Sequence, residues 1–379
     1  MWDIFEIPEH FDESGTFSGT LVHRGQHTVI GDCPRKSGTS GHLTLWALEN
    51  TTIPQPAKHE VQLRMKAVGI CGSDVHYWEH GQCGRFVVTS PMILGHEASG
   101  IVSAVGEAVT TLAVGDRVAI EPGIPCYFCS FCKEGRYNLC VDMKFNATPP
   151  VDGSLRQFYC HPANLCFKLP DHVSCEEGAL LEPLAVAVHS CRRGNVQLGS
   201  RVLICGAGPI GLVCLLTAKA MGAEKVVITD ILNSRLEVAK KLGADVTVLA
   251  DIKDPQRMAE KINAACSWLP DVTIECSGAA SSLQSAVFAT RPGGNIVTVG
   301  RGPRNVEVPI ADASSREIDI KGVFRYVNCY PTALQMVASG LVDVKPLISH
   351  RFPLTESVKA FETAKSGADS AIKVIIECG

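Results

Sequence analysis

Four thiols crowd into Cys126-x2-Cys129-x2-Cys132-x7-Cys140, within 15 residues of the 379-residue chain. Closely spaced thiols in a reducing compartment bind soft or borderline metal ions. Four ligands with no open position describe a tetrahedral zinc site whose work is structural, with an iron–sulfur cluster as the weaker alternative. A second constellation is dispersed: Cys71-Gly72-Ser73-Asp74, Gly95-His96-Glu97 and Leu181-Glu182-Pro183. Taken singly each is ordinary, because a cysteine is usually core, a histidine a satisfied polar group and a glutamate solvated. Together they offer one thiolate, one imidazole and two carboxylates, the donor set of a catalytic zinc that keeps one position for water or substrate. Such an ion acidifies a bound hydroxyl and polarises a carbonyl. Ser73 is placed to pass the proton toward solvent, and Asp74 to fix the tautomer of His96. Glu97 and Glu182 are both candidates for the third ligand, since the adjacent His96 and Glu97 reach one ion only with a particular turn.

Val202-Leu203-Ile204-Cys205-Gly206-Ala207-Gly208-Pro209-Ile210-Gly211 runs a strand pattern straight into G-x-G-x-x-G and then into a helix pattern. In that motif Gly206 makes the tight turn, Gly208 admits a pyrophosphate and Gly211 lets helix approach strand, leaving the helix N-terminus to hold the anion. A second strand pattern ends at Asp230, 24 residues past Gly206, close to the roughly 20 expected of an acid that binds the ribose. A carboxylate there accepts from a ribose 2′-hydroxyl and repels a 2′-phosphate, which favours NAD over NADP. Arg235 is either a rim contact to the same ribose or a solvated helix charge.

These residues need a scaffold, and the chain is long enough for two cores, since single cores stop growing at roughly 250–300 residues. A hydrophobic fraction of 46%, a charged fraction of 20% and a net charge of -4 are those of a globular protein with no electrostatic reason to bind nucleic acid. The longest apolar run, 202–218, is interrupted by glycines and a proline and reads as buried strand and helix, not a membrane span. The first residues carry Asp3, Glu6, Glu9, Asp12 and Glu13 where a signal peptide needs cationic and then apolar stretches, so the 17 cysteines are expected reduced, in the cytoplasm.

Residues 1–40 show no sustained periodicity and are expected to be irregular. From 41 to 181 short β-rich runs at 60–68, 100–105 and 117–120 alternate with Gly, Pro and Asp turns, predicting a mostly β domain. Over 182–324 strand and helix patterns alternate, predicting a doubly wound parallel sheet of Rossmann type. The remainder, 325–379, is too short for a third core and is expected to return to the first domain.

The motifs Val68-Gly69-Ile70-Cys71-Gly72-Ser73-Asp74-Val75-His76-Tyr77-Trp78, Gly95-His96-Glu97-Ala98-Ser99-Gly100, Gly178-Ala179-Leu180-Leu181-Glu182-Pro183-Leu184 and Val323-Phe324-Arg325-Tyr326 resemble the zinc-containing, medium-chain alcohol dehydrogenase superfamily, and within it the polyol dehydrogenases. The resemblance runs from about residue 48 to 373. It implies a GroES-like β domain interrupted by the Rossmann domain, catalytic and structural zinc, NAD, and interconversion of a sorbitol-like polyol with its ketose. It also implies zinc ligands Cys71, His96 and Glu97, with Glu182 holding the metal's water and touching substrate. Tyr77, Arg325 and Tyr326 would line the pocket. Coenzyme contacts would come from Ile210, Asp230 and Arg235 and along Val299-Gly300-Arg301 and Val323-Phe324-Arg325, in a homotetramer. Xylitol or L-arabinitol is the nearest alternative substrate, and a non-catalytic structural role on the same scaffold is the alternative from another class. A polar pair such as Arg325 and Glu182 favours a polyhydroxylated substrate over ethanol, because groups built to bond hydroxyls are left unpaired by an apolar ligand.

Overall fold

A computed structural model describes residues 51–379 other than Ile252, together with the backbone of the strands Gly19–Arg24 and Leu45–Asn50. The expectation of an irregular stretch over 1–40 falls outside the described residues except at Gly19–Arg24, which is a strand paired antiparallel with Leu45–Asn50.

Two sheets carry the architecture. The first has seven strands and is mixed, built about Glu60–Gly69, which lies between Glu97–Val105 and the C-terminal strand Lys373–Glu377. Its apolar residues, Val61, Leu63, Met65 and Val68, are buried with Val118, Ile120, Val374 and Ile376 in one core. Each fully buried aliphatic side chain contributes about 2 kcal/mol relative to exposure.

The second sheet has six strands, all parallel, and its spatial order places Arg201–Cys205, the first in sequence, at the centre. Lys225–Asp230 and Val246–Leu249 lie to one side, and Val272–Glu275, Asn295–Thr298 and Asp319–Gly322 to the other. This is the doubly wound order whose carboxyl edge opens a ligand crevice where the strand order reverses. Its central strands are near-continuous apolar runs because helices cover both faces. Val202, Ile204, Val226, Ile228 and Ile274 pack there against Leu212 and Leu215 of the helix Pro209–Ala220.

Two helices absent from the sequence reading carry site residues. Gly72–His80 begins after Cys71, whose backbone N–H donates to Asp74 Oδ2 at 3.1 Å and so satisfies an orphan donor of the first turn. It ends at Gly81, which takes the left-handed φ of 65° that suits glycine. Leu181–Gly194 buries Leu181, Leu184 and Val188 against the parallel-sheet core and stops at left-handed Asn195. Its apolar residues run almost continuously at the start, which hides the helical period. In the other direction, the alternation expected to run to residue 324 stops short: the last strand ends at Gly322, and Val323-Phe324-Arg325 turns out of the sheet, with Arg325 at φ 54°.

Candidate active site

Three dispersed residues converge. Cys71 precedes the helix Gly72–His80, Glu97 opens the strand Glu97–Val105, and His96 lies just before it; one ligand atom from each lies within 4.8 Å of the other two. Asp74 sits behind the trio, with Oδ1 3.2 Å from His96 Nδ1, which leaves Nε2 as the nitrogen free to ligate. Asp74 itself is held by the Gly95 N–H at 3.2 Å. Ser73 Oγ lies 3.5 Å from His96 Nε2, on the partly exposed side.

Glu97 has a partner that the sequence reading missed. Lys373, opening the C-terminal strand, donates to Oε1 at 2.8 Å and to Oε2 at 2.6 Å, and also to the Ile70 carbonyl at 3.1 Å. Both side chains are buried, so the ammonium supplies the counter-charge that a buried carboxylate requires. Gly69, paired across the sheet with Glu97, makes room for it, since a Cβ there would collide with Glu97 Oε2. The sequence signal for Lys373 was a lone cation within the apolar run Ala371-Ile372-Lys373-Val374-Ile375-Ile376.

Glu182, in the first turn of Leu181–Gly194, is buried beside the trio but is not among the donors that meet within 4.8 Å, so of the two candidate third ligands Glu97 is the one in reach. Burial is the main cause that pushes its carboxyl up to about 7, with the Glu97 charge adding and His96 opposing. The Tyr326 phenol beside it is buried, and among the described residues its hydroxyl makes no well-formed hydrogen bond, leaving a polar atom of the kind a ligand satisfies. Phe145 packs against His96, with ring centroids 5.8 Å apart, and Arg325 lies over the Phe145 ring at 3.8 Å while donating to Thr148 Oγ1 at 3.3 Å. Tyr77 is buried nearby, and desolvation pushes its phenol up to about 12. Phe145 and Thr148 were also missed, having no motif of their own.

The four-cysteine loop forms a second metal-ready group. Cys126, Cys129, Cys132 and Cys140 offer sulfurs all within 4.8 Å of one another. Backbone N–H groups of Phe128 and Cys129 point at Cys126 Sγ at 3.4 and 3.3 Å and lower its pKa to about 7, favouring the thiolate that ligates. Four sulfurs with none to spare fit a closed zinc site, whereas the mixed trio fits an open one.

The coenzyme motif lies at the carboxyl edge of the parallel sheet. Gly206 has φ 98°, and a Cβ on Gly211 would collide with the Gly206 carbonyl, while among the described residues only Arg235 would come near a Cβ on Gly208, leaving space above the helix N-terminus. Asp230 closes its strand and accepts from Ala207 N–H at 2.7 Å and Leu232 N–H at 2.9 Å. Arg235 Nη1 is 3.9 Å from the same carboxylate, and Ile210 lies in the first turn of the helix. Val299 and Gly300 both donate to the Glu275 carbonyl at 2.8 Å, and Val323 N–H donates to Thr298, so both segments line that edge. Arg301 departs from it, its guanidinium touching Cys83 Sγ near Tyr77.

A two-sheet scaffold with a phosphate-ready loop, an open metal trio and a closed thiol cluster defines an alcohol-dehydrogenase type of oxidoreductase. Residues 57–171 match the alcohol dehydrogenase GroES-like domain and residues 209–339 the zinc-binding dehydrogenase domain. Over 331 residues the chain is 56% identical to sorbitol dehydrogenase of Homo sapiens, covering 87% of this chain and 92% of that one. An oxidoreductase of unknown specificity from Escherichia coli superposes with TM-score 0.83 at 34% identity, over 94% of this chain and 99% of its own. L-idonate 5-dehydrogenase of Escherichia coli superposes with TM-score 0.80 at 30% identity, over 95% and 98%. The chain belongs to the zinc-containing medium-chain alcohol dehydrogenase family, and zinc and NAD are its cofactors. No helix among the described residues is long and apolar enough to cross a membrane.

Proposed function

We propose that this chain oxidises a secondary hydroxyl of a sorbitol-like polyol to the ketose with NAD, and runs the reverse reduction. The observation that carries the reading is the mixed thiol–imidazole–carboxylate trio within 4.8 Å, set beside a pocket of hydroxyl-bonding side chains. Cys71, His96 and Glu97 would hold the catalytic zinc, Cys126, Cys129, Cys132 and Cys140 the structural one, and the Gly206–Gly211 loop with Asp230 the coenzyme. When bound, zinc acidifies the substrate hydroxyl and NAD takes the hydride from its carbon.

The chain's own residues do the rest. Asp74 fixes the His96 ring, and Lys373 fixes the Glu97 carboxylate, so neither donor has to be ordered at the moment of reaction. Ser73, half-buried beside His96, passes the hydroxyl proton outward to solvent. Glu182, poised near neutrality by burial, accepts from a substrate hydroxyl and can hold or return a proton. Tyr77, Arg325 and Tyr326 bond the flanking hydroxyls, and ethanol would leave these groups unpaired. Asp230 selects the unphosphorylated ribose, so Asp230→Ala should narrow the preference for NAD over NADP by about tenfold, the value of one lost hydrogen bond to a charged group. Residues 41–181 with 325–379 act as the catalytic domain and 182–324 as the coenzyme domain. A cytoplasmic homotetramer completes the reading, supported by cysteines that are all unbridged among the described residues.

A panel of sorbitol, xylitol, L-arabinitol, ribitol and ethanol, assayed with NAD and with NADP alongside the zinc content, tests this. Sorbitol with NAD should be fastest and ethanol slowest. Zinc-replete, folded protein that forms no NADH from any polyol would sink the reading.

A further inference from the structure

Arg301 belongs to a segment expected to line the coenzyme, but its side chain has no part in the chemistry described so far. It follows the strand Asn295–Thr298 on the coenzyme side, yet its guanidinium crosses to Cys83, a buried thiol just past the helix Gly72–His80 of the other sheet's domain. There it lies in the electrostatic field of Tyr77, His76 and Arg325. Arg325, which feels the Arg301 charge, is stacked on Phe145 and bonded to Thr148. Neither guanidinium has an ion-pair partner among the described residues. The nearby acids are engaged elsewhere: Asp74 with His96 and two backbone N–H groups, Glu79 with Lys365 at 2.7 Å, and Glu97 with Lys373. Glu182 reaches Arg325 but is held on the metal side of the pocket, beside Tyr326.

Burial lowers the Arg325 pKa to about 10, the like charge of Arg301 adds to that cost, and Tyr326, Tyr77 and Glu182 oppose it without forming an ion pair. An anion between them converts that repulsion into two charge-assisted contacts. Because Arg301 is exposed while Cys71 is half-buried and His96 and Glu97 are buried, the anion belongs at the open end of the pocket, on the far end of a substrate chain and not on the reacting carbons.

We propose that Arg301, with Arg325, forms an anion subsite at the mouth of the pocket, which accepts the terminal carboxylate or phosphate of an acidic polyol. The inference rests on the pocket being a polyol site, and names which polyols it takes best.

The test compares sorbitol with sorbitol phosphate and with gluconate by kcat/KM at low and high ionic strength, in the wild type, Arg301→Leu and Arg301→Lys, with NADH affinity titrated by fluorescence. An acidic polyol should be favoured by about tenfold at low salt, as expected for a charge-assisted pair, and less at high salt. Arg301→Leu should abolish that preference and Arg301→Lys retain part of it. The phosphate and carboxylate arms show which anion fits. Equal use of neutral and acidic polyols, a preference that survives Arg301→Leu, or an NADH affinity that falls as far as the preference does would each overturn the subsite. Sorbitol turnover without an acidic preference leaves polyol oxidation standing. Should none of the three be oxidised, polyol oxidation falls, and calorimetric binding of sorbitol phosphate to the wild type against Arg301→Leu still decides the subsite.

Discussion

The two cysteine-bearing clusters reach similar donor spacing by opposite routes. In the four-cysteine loop the ligands come from one short segment, three of them partly exposed, and backbone N–H groups of the loop itself stabilise the thiolate. In the other cluster the donors come from two separate stretches of sequence, seated at the ends of a strand and a helix, and His96 and Glu97 each have a buried counterpart on another element. A local loop can close around a metal and is free to be identical sulfur throughout. A site assembled by tertiary structure can mix donors, keep one position open and tune each donor with a neighbour.

The comparison can be broken at several points. The largest effect is expected from Cys71→Ser, which removes one of only three donors: kcat should drop by at least about a thousandfold, given the several kcal/mol a catalytic metal supplies, while circular dichroism stays native. Retained turnover would show that the trio is not the working centre. Next comes Lys373→Met, which strands a buried carboxylate and should cost about 3–5 kcal/mol in denaturant unfolding. An unchanged midpoint would mean that Glu97 does not depend on that cation. Cys129→Ser should act on stability, by about 3 kcal/mol, with kcat per folded molecule preserved; lost turnover at unaltered melting temperature would erase the division of labour between the clusters.

The smallest effect sharpens the boundary between them. Glu121 lies at the end of the strand Arg117–Ile120, is buried, and accepts from the Tyr137 hydroxyl of the cysteine loop at 2.6 Å. Burial pushes its carboxyl up from 4.5 to about 6, with the Tyr137 bond opposing. The folded state therefore holds this proton more tightly than the unfolded chain. Its contribution is full below pH 4.5 and lost as pH rises through about 6. Glu121→Gln, permanently neutral, should be more stable than wild type above that range by about 2 kcal/mol and equal to it in acid, measured by unfolding across pH. A constant difference at every pH would refute the assignment.

Much of this was legible without coordinates. The G-x-G-x-x-G loop, Asp230 and the four cysteines are readable because backbone geometry and coordination fix their spacing locally, and the alternating strands and helices of the parallel sheet follow from burial on both faces. Cys71, His96 and Glu97 could be gathered as chemistry but not as a triangle, since only strand register brings Gly69 opposite Glu97. The choice of Glu97 over Glu182 is likewise a matter of tertiary distance. Lys373 and Arg301 escaped for the same reason: each acts on an element remote in sequence, and neither a lone strand cation nor an arginine after a strand announces its partner.

The strand Lys373–Glu377 has a consequence for biosynthesis. It is threaded between Glu60–Gly69 and Ile348–Pro353, so a nascent chain halted before residue 373 already owns the thiol, imidazole and carboxylate yet exposes two raw strand edges and an acid with no neutralising charge. Competence to grip the reactive ion is thereby tied to the arrival of this one strand, and chains that lack it are left open to edge pairing and proteolysis instead of accumulating as half-working enzyme.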